Sequence, residues 1–128
     1  MIYYFSKTVN TGFDTAIANV TEELKKEGFG ILTEIDVKET FKKKLDVDFR
    51  KYKILGACNP HFAHQALLAE DHIGTMLPCN VIVQEREKGK IEVTAVDPVA
   101  SMRAVKNAKL EDVANEVREK LKRVIHNI

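Results

Sequence analysis

The sequence lacks the features that mark several large classes of protein. It has 20 lysines and arginines against 19 aspartates and glutamates, and a net charge of +1 gives no global field to attract nucleic acid or an anionic membrane. No window approaches the roughly 18 apolar residues of a membrane-spanning helix. Residues 1–5 are apolar but lack a basic start and a cleavage site, so no signal peptide is predicted. We therefore expect a cytoplasmic protein without nucleic-acid or membrane partners.

Residues that form common catalytic motifs are also few. Ser6 and Ser101 are the only serines, and the six glycines are scattered singly. The chain therefore contains no nucleophile elbow, phosphate-cradling loop or dinucleotide fingerprint, and it indicates neither a reaction nor a cofactor. Two cysteines in a cytosolic protein are expected to be reduced thiols unless they act as a redox pair.

The chain does have enough apolar sequence to build one core. It is 45% hydrophobic and 30% charged over 128 residues, which is typical of a globular protein. A chain of this length falls in the usual range of a single domain and needs no metal or disulfide to stabilise its core. No internal repeat, low-complexity stretch or linker divides it, so residues 1–128 are predicted to form one domain.

The spacing of apolar residues predicts an α+β fold. Alternating apolar and polar residues indicate strands, and apolar spacings of three and four indicate helices. The predicted strands are 2–9, 29–37, 52–58, 79–86 and 90–96, and the predicted helices are 13–27, 38–46, 60–70 and 110–128. The order is β-α-β-(α)-β-α-β-β-α. We expect a mostly antiparallel five-stranded sheet covered on one face by the first and last helices.

Two segments have the sequence of a helix start. Thr11, with Asp14 three residues later, resembles a capping box, in which the hydroxyl accepts a hydrogen bond from a free backbone N–H. Asn59 and Pro60 combine a preferred N-cap residue with the residue favoured at the first helical position. The second of these helices is thus predicted to begin directly after Cys58.

The hairpin between the last two strands predicts which residues meet at one corner of the sheet. A three-residue loop at 87–89, with glycine in the left-handed position, places Cys79 opposite Asp97. The same register pairs Val81 with Ala95 and Val83 with Val93. If the third strand lies antiparallel beside the fourth, Cys58 and the helix start after it reach the same end of the sheet. We therefore expect Cys58, Cys79 and Asp97 to form one corner with the positive end of a helix.

This predicted corner suits thiol chemistry or the binding of a small ligand. A thiol at a helix N-terminus has a lowered pKa and a raised reactivity, so Cys58 is the candidate reactive thiol. Cys79 could resolve a disulfide or share a soft metal with Cys58. Asn59 and Asn80 would supply polar contacts. The alternative is that both cysteines are small buried hydrophobic residues, which is a common environment for free cysteine.

Two histidines follow Cys58 on the predicted helix. His61 and His64 have a spacing that can bind metal, and with Cys58 and Cys79 they would make a Cys₂His₂ set. The spacing matches no established zinc motif, and both histidines project away from the apolar face of the helix. Solvent-exposed histidines are the alternative, and no metal ligands are assigned.

Several short segments resemble a known family. They are Gly56-Ala57-Cys58-Asn59-Pro60, Ala63-His64, Leu67, Leu77-Pro78-Cys79-Asn80-Val81, and Asp97-Pro98 with Met102. Through them nearly the whole chain is similar to the "domain of unknown function 302" family of small bacterial and archaeal proteins. The resemblance implies a single α+β domain, often a homodimer, with no established activity. The typical family positions that it covers are Cys58, His64, Pro78, Cys79 and Asp97, and His61 is not among them.

Three hypotheses of function follow. The first is a small-ligand or thiol-redox site formed by Cys58, Asn59, His64, Pro78, Cys79, Asn80 and Asp97. The second is a non-catalytic domain that self-associates, indicated by the apolar residues 2–5 on a first strand that could be a sheet edge. The third is a soft-metal site of Cys58, Cys79 and His64.

Overall fold

The computed structural model describes residues 2–128. The strands are β1 (Tyr4–Val9), β2 (Gly30–Asp36), β3 (Tyr52–Cys58), β4 (Cys79–Glu87) and β5 (Lys90–Val96). The helices are α1 (Phe13–Lys26), α2 (Val37–Leu45), α3 (Pro60–Ala69), α4 (Pro98–Ser101) and α5 (Ala108–Asn127), with a 3₁₀ helix at Asp71–Met76. The predicted α+β class and element order are confirmed. The 3₁₀ helix and α4 are additions, because elements this short show no apolar period.

The five strands form one antiparallel sheet. Their order is β1-β5-β4-β3-β2, so β1 and β2 are the edges and β3 lies beside β4 as predicted. The predicted register is also confirmed, since Val81 pairs with Ala95 and Val83 with Val93. This register is favoured because a slip of one residue would turn every buried side chain to the other face.

The β4–β5 turn differs in detail from the prediction. Glu87 still pairs with Lys90, and the register shifts between Glu85 and Glu87, so the turn itself is Lys88–Gly89. Gly89 has a φ of 80°, the left-handed conformation expected there. The ladder between the two strands ends at Val81 and Ala95, so a Cys79–Asp97 pair is not part of it.

The core lies between the sheet and the two long helices α1 and α5. Its fully buried side chains include Val20 and Leu24 of α1 and Leu121 and Val124 of α5, which pack against the valines of β4 and β5. The apolar stripes read from the sequence therefore face the sheet, as an amphipathic helix requires. No helix within residues 2–128 is both long and apolar enough to cross a membrane.

Both helix starts differ from the prediction. The N-cap of α1 is Gly12, which makes no side-chain bond, and the capping box at Thr11 is wrong. The Thr11 hydroxyl oxygen is buried with no hydrogen-bond partner in the described part of the chain. Asn59 is the N-cap of α3 and Pro60 its first residue, as predicted, but the Asn59 side chain makes no capping bond.

Candidate functional site

A cavity of about 270 Å³ lies at the corner of the sheet where β3 ends and β4 begins. We call it the corner cavity. It is lined by Phe29, Leu32, Ala57, Cys58, Asn59, Phe62, Ala63, Ala66, Leu67, Leu77, Pro78, Cys79, Pro98, Met102, Val113, Ala114 and Val117. Only the Asn59 amide and the two thiols bring polar hydrogen-bonding groups to this wall, and no lining residue carries a charge. The site is therefore a predominantly apolar hollow.

Cys58 lies where β3 passes into α3. The position follows from the local sequence, because Pro60 begins the helix two residues later. Cys58 is half-buried and lies on the wall of the cavity beside Asn59. Two of the predicted site residues therefore meet at the N-terminus of α3.

Cys79 is the first residue of β4 and is only 8% exposed. Burial, and after it the charge of an ionised Cys58, raises the pKa of the Cys79 thiol from 9.0 to about 11. The thiol is therefore protonated at neutral pH. Because the thiolate is the nucleophile, Cys79 contributes a small, weakly polar surface to the cavity.

The prediction of a cysteine pair is wrong, because the two cysteines are not near each other. Cys79 is opposite Ala57 in the β3–β4 ladder, whereas Cys58 is opposite Gly30 on β2. Successive side chains of a strand point to opposite faces of the sheet. Cys58 is therefore directed away from the face that Ala57 shares with its ladder partner Cys79. Both are free thiols, and both residues line the cavity.

Asn59 connects the cavity wall to the end of α1. Its Nδ2 donates a hydrogen bond to the backbone carbonyl of Glu27 at 3.1 Å. Gly28 follows with a φ of 87°, and a Cβ there would lie 3.1 Å from the same Nδ2. The left-handed glycine thus lets the chain turn against Asn59, whose side chain is occupied in this contact rather than in capping α3.

The Glu27 side chain joins the same junction to α5. Arg123 donates to the Glu27 carboxylate from Nη2 at 2.9 Å and from Nε at 3.2 Å, and Lys120 Nζ lies 3.8 Å away. The hydrogen bond from Arg123, followed by the charges of Arg123 and Lys120, holds the pKa of Glu27 below its usual value although burial opposes the shift. The ends of α1, α5 and β3 are therefore held together behind the cavity.

Pro78 is part of the cavity wall and follows a cis peptide bond from Leu77. It packs directly on β3 at Gly56. A Cβ on Gly56 would lie 2.8 Å from Pro78 Cγ and would overlap the hydroxyl of Thr33 on β2. Glycine is thus the residue that permits this close approach.

The other predicted site residues lie outside the cavity wall. His64 and Asn80 are exposed. Asp97 is buried and accepts hydrogen bonds from the backbone N–H of Val99 at 3.0 Å and from Arg118 Nε at 3.2 Å. These contacts make Asp97 the cap of α4 and the anchor of α5, and a ligand-binding role for these three residues stays a prediction.

The described residues bring no metal ligands together at the corner cavity. In residues 2–128 one group of three potential ligands is close enough to share an ion, namely Glu70, Asp71 and His72 at the start of the 3₁₀ helix. It includes neither thiol nor His64. Glu70 and Asp71 lie 3.4 and 3.1 Å from Nδ1 of His72, so these three side chains contact one another.

Most of the residues that line the cavity could not be identified from the sequence. Leu32, Phe62, Val113 and Val117 belong to three different elements and Phe29 to the connection before β2, and only the packing of α3 and α5 over the sheet brings them together. Leu32 did carry a signal, since it is an apolar residue on the polar face of its strand. That it lines a cavity follows from tertiary structure alone.

A single antiparallel five-stranded sheet with helices packed on it, and an apolar cavity at one corner, defines a small α+β domain. The chain belongs to the family described as "Domain of unknown function DUF302", whose model matches residues 5–128. The resemblance read from the sequence is therefore confirmed.

One solved structure shares both the fold and the length of the chain. It is a crystal structure of an uncharacterized conserved DUF302 protein from Bacillus stearothermophilus, with a TM-score of 0.91 and 27% sequence identity. The match covers 99% of this chain and 98% of the other. No curated protein matches the chain significantly.

Proposed function

We propose that the protein binds a small apolar molecule in the corner cavity. The observation that carries this proposal is the cavity itself, a hollow of about 270 Å³ lined almost wholly by apolar side chains. Protein interiors are close-packed, and a well-formed apolar pocket with few polar groups is the usual form of a small-molecule site. Most residues through which the sequence resembles its family, among them Ala63, Leu67 and Met102, also line this hollow.

The chemistry of the wall favours binding over thiol redox. A redox pair needs two thiols that can approach to disulfide distance, and these two do not. Cys79 is also kept protonated by burial, which removes its nucleophilic form at neutral pH. In this proposal Cys58, Asn59, Pro78 and Cys79 shape the cavity and contact the ligand.

An NMR titration tests the proposal. Toluene and methylcyclohexane, two small uncharged probes, are added to ¹⁵N-labelled protein, and at least one is expected to shift the backbone amides of Ala57, Cys79 and Ala114. Ala63→Phe fills the cavity from α3 and should abolish the shifts, whereas Gln65→Phe adds the same group to an exposed position of α3 outside the wall. Leu67→Phe is a second filling variant at a partly exposed site. Absence of saturable shifts with either probe would remove the proposal.

Self-association is the second candidate function, and an edge strand favours it. β1 pairs only with β5, and the residues at its start are exposed: Ile2 by 70%, Tyr3 by 63% and Tyr4 by 37%. An exposed, apolar edge strand is a surface on which a second chain can add. Phe5, in contrast, is half-buried against the core and is not part of that surface. Sedimentation at several concentrations is expected to show a dimer, and a monomer throughout would count against it.

A further inference from the structure

We infer that the ligand of the corner cavity is an uncharged aromatic molecule of two-ring size. The inference rests on the proposed function, because it names the class of molecule that the same cavity would take. Three properties of the cavity carry it: its volume, the absence of charge on its wall, and the kinds of apolar group that form the wall.

The volume limits the size of the molecule. An apolar cavity of about 150 Å³ in another protein accommodates benzene, which has six carbon atoms. By proportion, the 270 Å³ of the corner cavity corresponds to a ligand of roughly ten or eleven non-hydrogen atoms. A fused two-ring molecule has this size. Because the cavity is open on one side, a longer lipid chain or a nucleotide would leave most of its atoms outside the walls.

The wall excludes a charged ligand. None of its residues is charged, and the nearby charges are already paired: Glu27 with Arg123 and, at 3.8 Å, with Lys120, whose ammonium lies 5.8 Å from the centre of the Phe62 ring, and Asp97 with Arg118. An ionised group taken into such a hollow would lose its hydration without gaining a partner, which is costly. The polar groups on the wall, Asn59 and the two thiols, can serve at most a neutral hydroxyl or ring N–H.

The wall contains groups that favour an aromatic ligand over a saturated one. Phe29 and Phe62 line it, together with three residues that contain sulfur, Cys58, Cys79 and Met102. Aromatic rings gain from offset or edge contacts with other rings, and sulfur makes favourable contacts with ring edges. A saturated molecule of equal size fills the same space without these contacts.

A matched pair of ligands tests the inference. 2-Naphthol and decahydro-2-naphthol have the same carbon skeleton and one hydroxyl each, and they differ in aromaticity and, with it, in the thickness of the rings. Both are titrated by calorimetry into the full chain, beside 2-naphthoate as the charged analogue. We expect 2-naphthol to bind at least threefold more tightly than its saturated counterpart, and 2-naphthoate to bind at least tenfold more weakly than 2-naphthol.

One variant separates aromatic preference from simple filling. Met102→Leu keeps the volume nearly constant, which such swaps usually tolerate, but it removes one sulfur. It should narrow the affinity ratio of the aromatic to the saturated ligand about twofold, without weakening the saturated one. Val99→Leu, on the same α4 segment but outside the cavity wall, is the control and should leave the ratio unchanged.

The outcomes separate this inference from the proposed function. Equal binding of the two alcohols, or tight binding of 2-naphthoate, overturns the aromatic, uncharged class while leaving a small-molecule site in place. Failure of 2-naphthol to bind, with toluene or methylcyclohexane still binding, overturns the two-ring size. Failure of all these probes overturns both.

Discussion

At the scale of single residues, burial decides the properties of Cys79. The thiol keeps its proton up to about pH 11 in the folded protein, whereas the unfolded chain loses it near 9.0. The stability that this difference provides is therefore fully present below pH 9 and is lost as the pH rises towards 11. The sequence identified Cys79 as a site residue, but only its tertiary surroundings determine that it is unreactive.

Cys79 should make the protein sensitive to alkali. From about pH 8 to about pH 10.5 this thiol alone should lower the free energy of unfolding by about 2 kcal/mol. Urea denaturation of the wild type and of Cys79→Ala at both pH values measures it: the variant is less stable at pH 8 but should lose about 2 kcal/mol less on going to the higher pH. Cys58→Ala is the comparison and should keep most of the wild-type loss, because burial is the larger cause of the raised pKa of Cys79 and the charge of Cys58 the smaller one. Equal losses in all three proteins would contradict the buried, protonated thiol.

Gly56 offers a second residue-scale prediction. Gly56→Ala should destabilise the protein by about 1–3 kcal/mol, because the methyl group would collide with Thr33 and Pro78. Gly30→Ala on neighbouring β2 meets nothing within 4 Å and should change stability by less than about 0.5 kcal/mol. Thermal or urea unfolding compares the two variants. A tolerated Gly56→Ala would show that Pro78 can move away from β3.

At the scale of elements, the junction of α1, α3 and α5 holds the rear wall of the cavity. Glu27, at the end of α1, accepts from Arg123 of α5 through its side chain and from Asn59 through its backbone. The pKa of Glu27 is lowered, so its contribution to stability is present above the usual value of 4.5 and is lost as the pH falls through the lower folded value.

Removing the Glu27 charge should test this junction. Glu27→Gln should lower stability at pH 7 and reduce the further loss of stability between about pH 5 and about pH 3, since the group that titrates there is gone. The matched control is Glu22→Gln on the same helix, because the ion pair between Glu22 and Lys25 lies on an exposed surface. Urea denaturation at three pH values is the measurement. An unchanged acid profile in Glu27→Gln would show that the contact contributes nothing.

The edge strand β2 carries a bulge that bears on the cavity. Its register with β3 shifts between Ile31 and Thr33, so Leu32 is the additional residue; it lines the cavity although 68% of it is exposed. Bulges redirect side chains and are frequent beside functional sites. Leu32 thus stands at the mouth of the cavity.

Leu32→Ala should weaken binding of 2-naphthol about threefold, because the ligand loses apolar contact at the mouth. The stability of the free protein should change little, since the side chain is mostly exposed. Leu45→Ala, 64% exposed on α2 and distant from the wall, is the control and should bind as the wild type does. Calorimetry compares the two, and equal affinities would place Leu32 outside the binding surface.

At the scale of the whole molecule, the strand order leaves β1 as a free edge. If a second chain adds there, a charge at that edge should prevent it. Tyr3→Lys is expected to shift sedimentation from dimer to monomer, whereas Leu68→Lys, 75% exposed on α3, should leave the dimer intact. A dimer that persists in Tyr3→Lys would place the association on another surface.

The long elements were predictable because each follows a local rule. β3 and β5 begin and end where alternation and turn residues indicated, and α3 begins at Asn59 and Pro60. Side-chain partners were less predictable. Thr11 and Asn59 both have N-cap chemistry, but Thr11 lies one residue before the actual cap and Asn59 bonds to Glu27, 32 residues away. Local propensity indicates which hydrogen bonds a side chain can make, and residues distant along the chain determine which of them form.

The sequence by itself determined the α+β class, the order of its long elements, the β4–β5 register and the corner where Cys58 and Cys79 lie, because apolar periodicity and turn chemistry are local. Tertiary structure alone decided that these thiols do not pair, that Asp97 caps α4, and that the corner is a hollow. These properties depend on how α3 and α5 pack over the sheet, which brings together residues that are far apart along the chain.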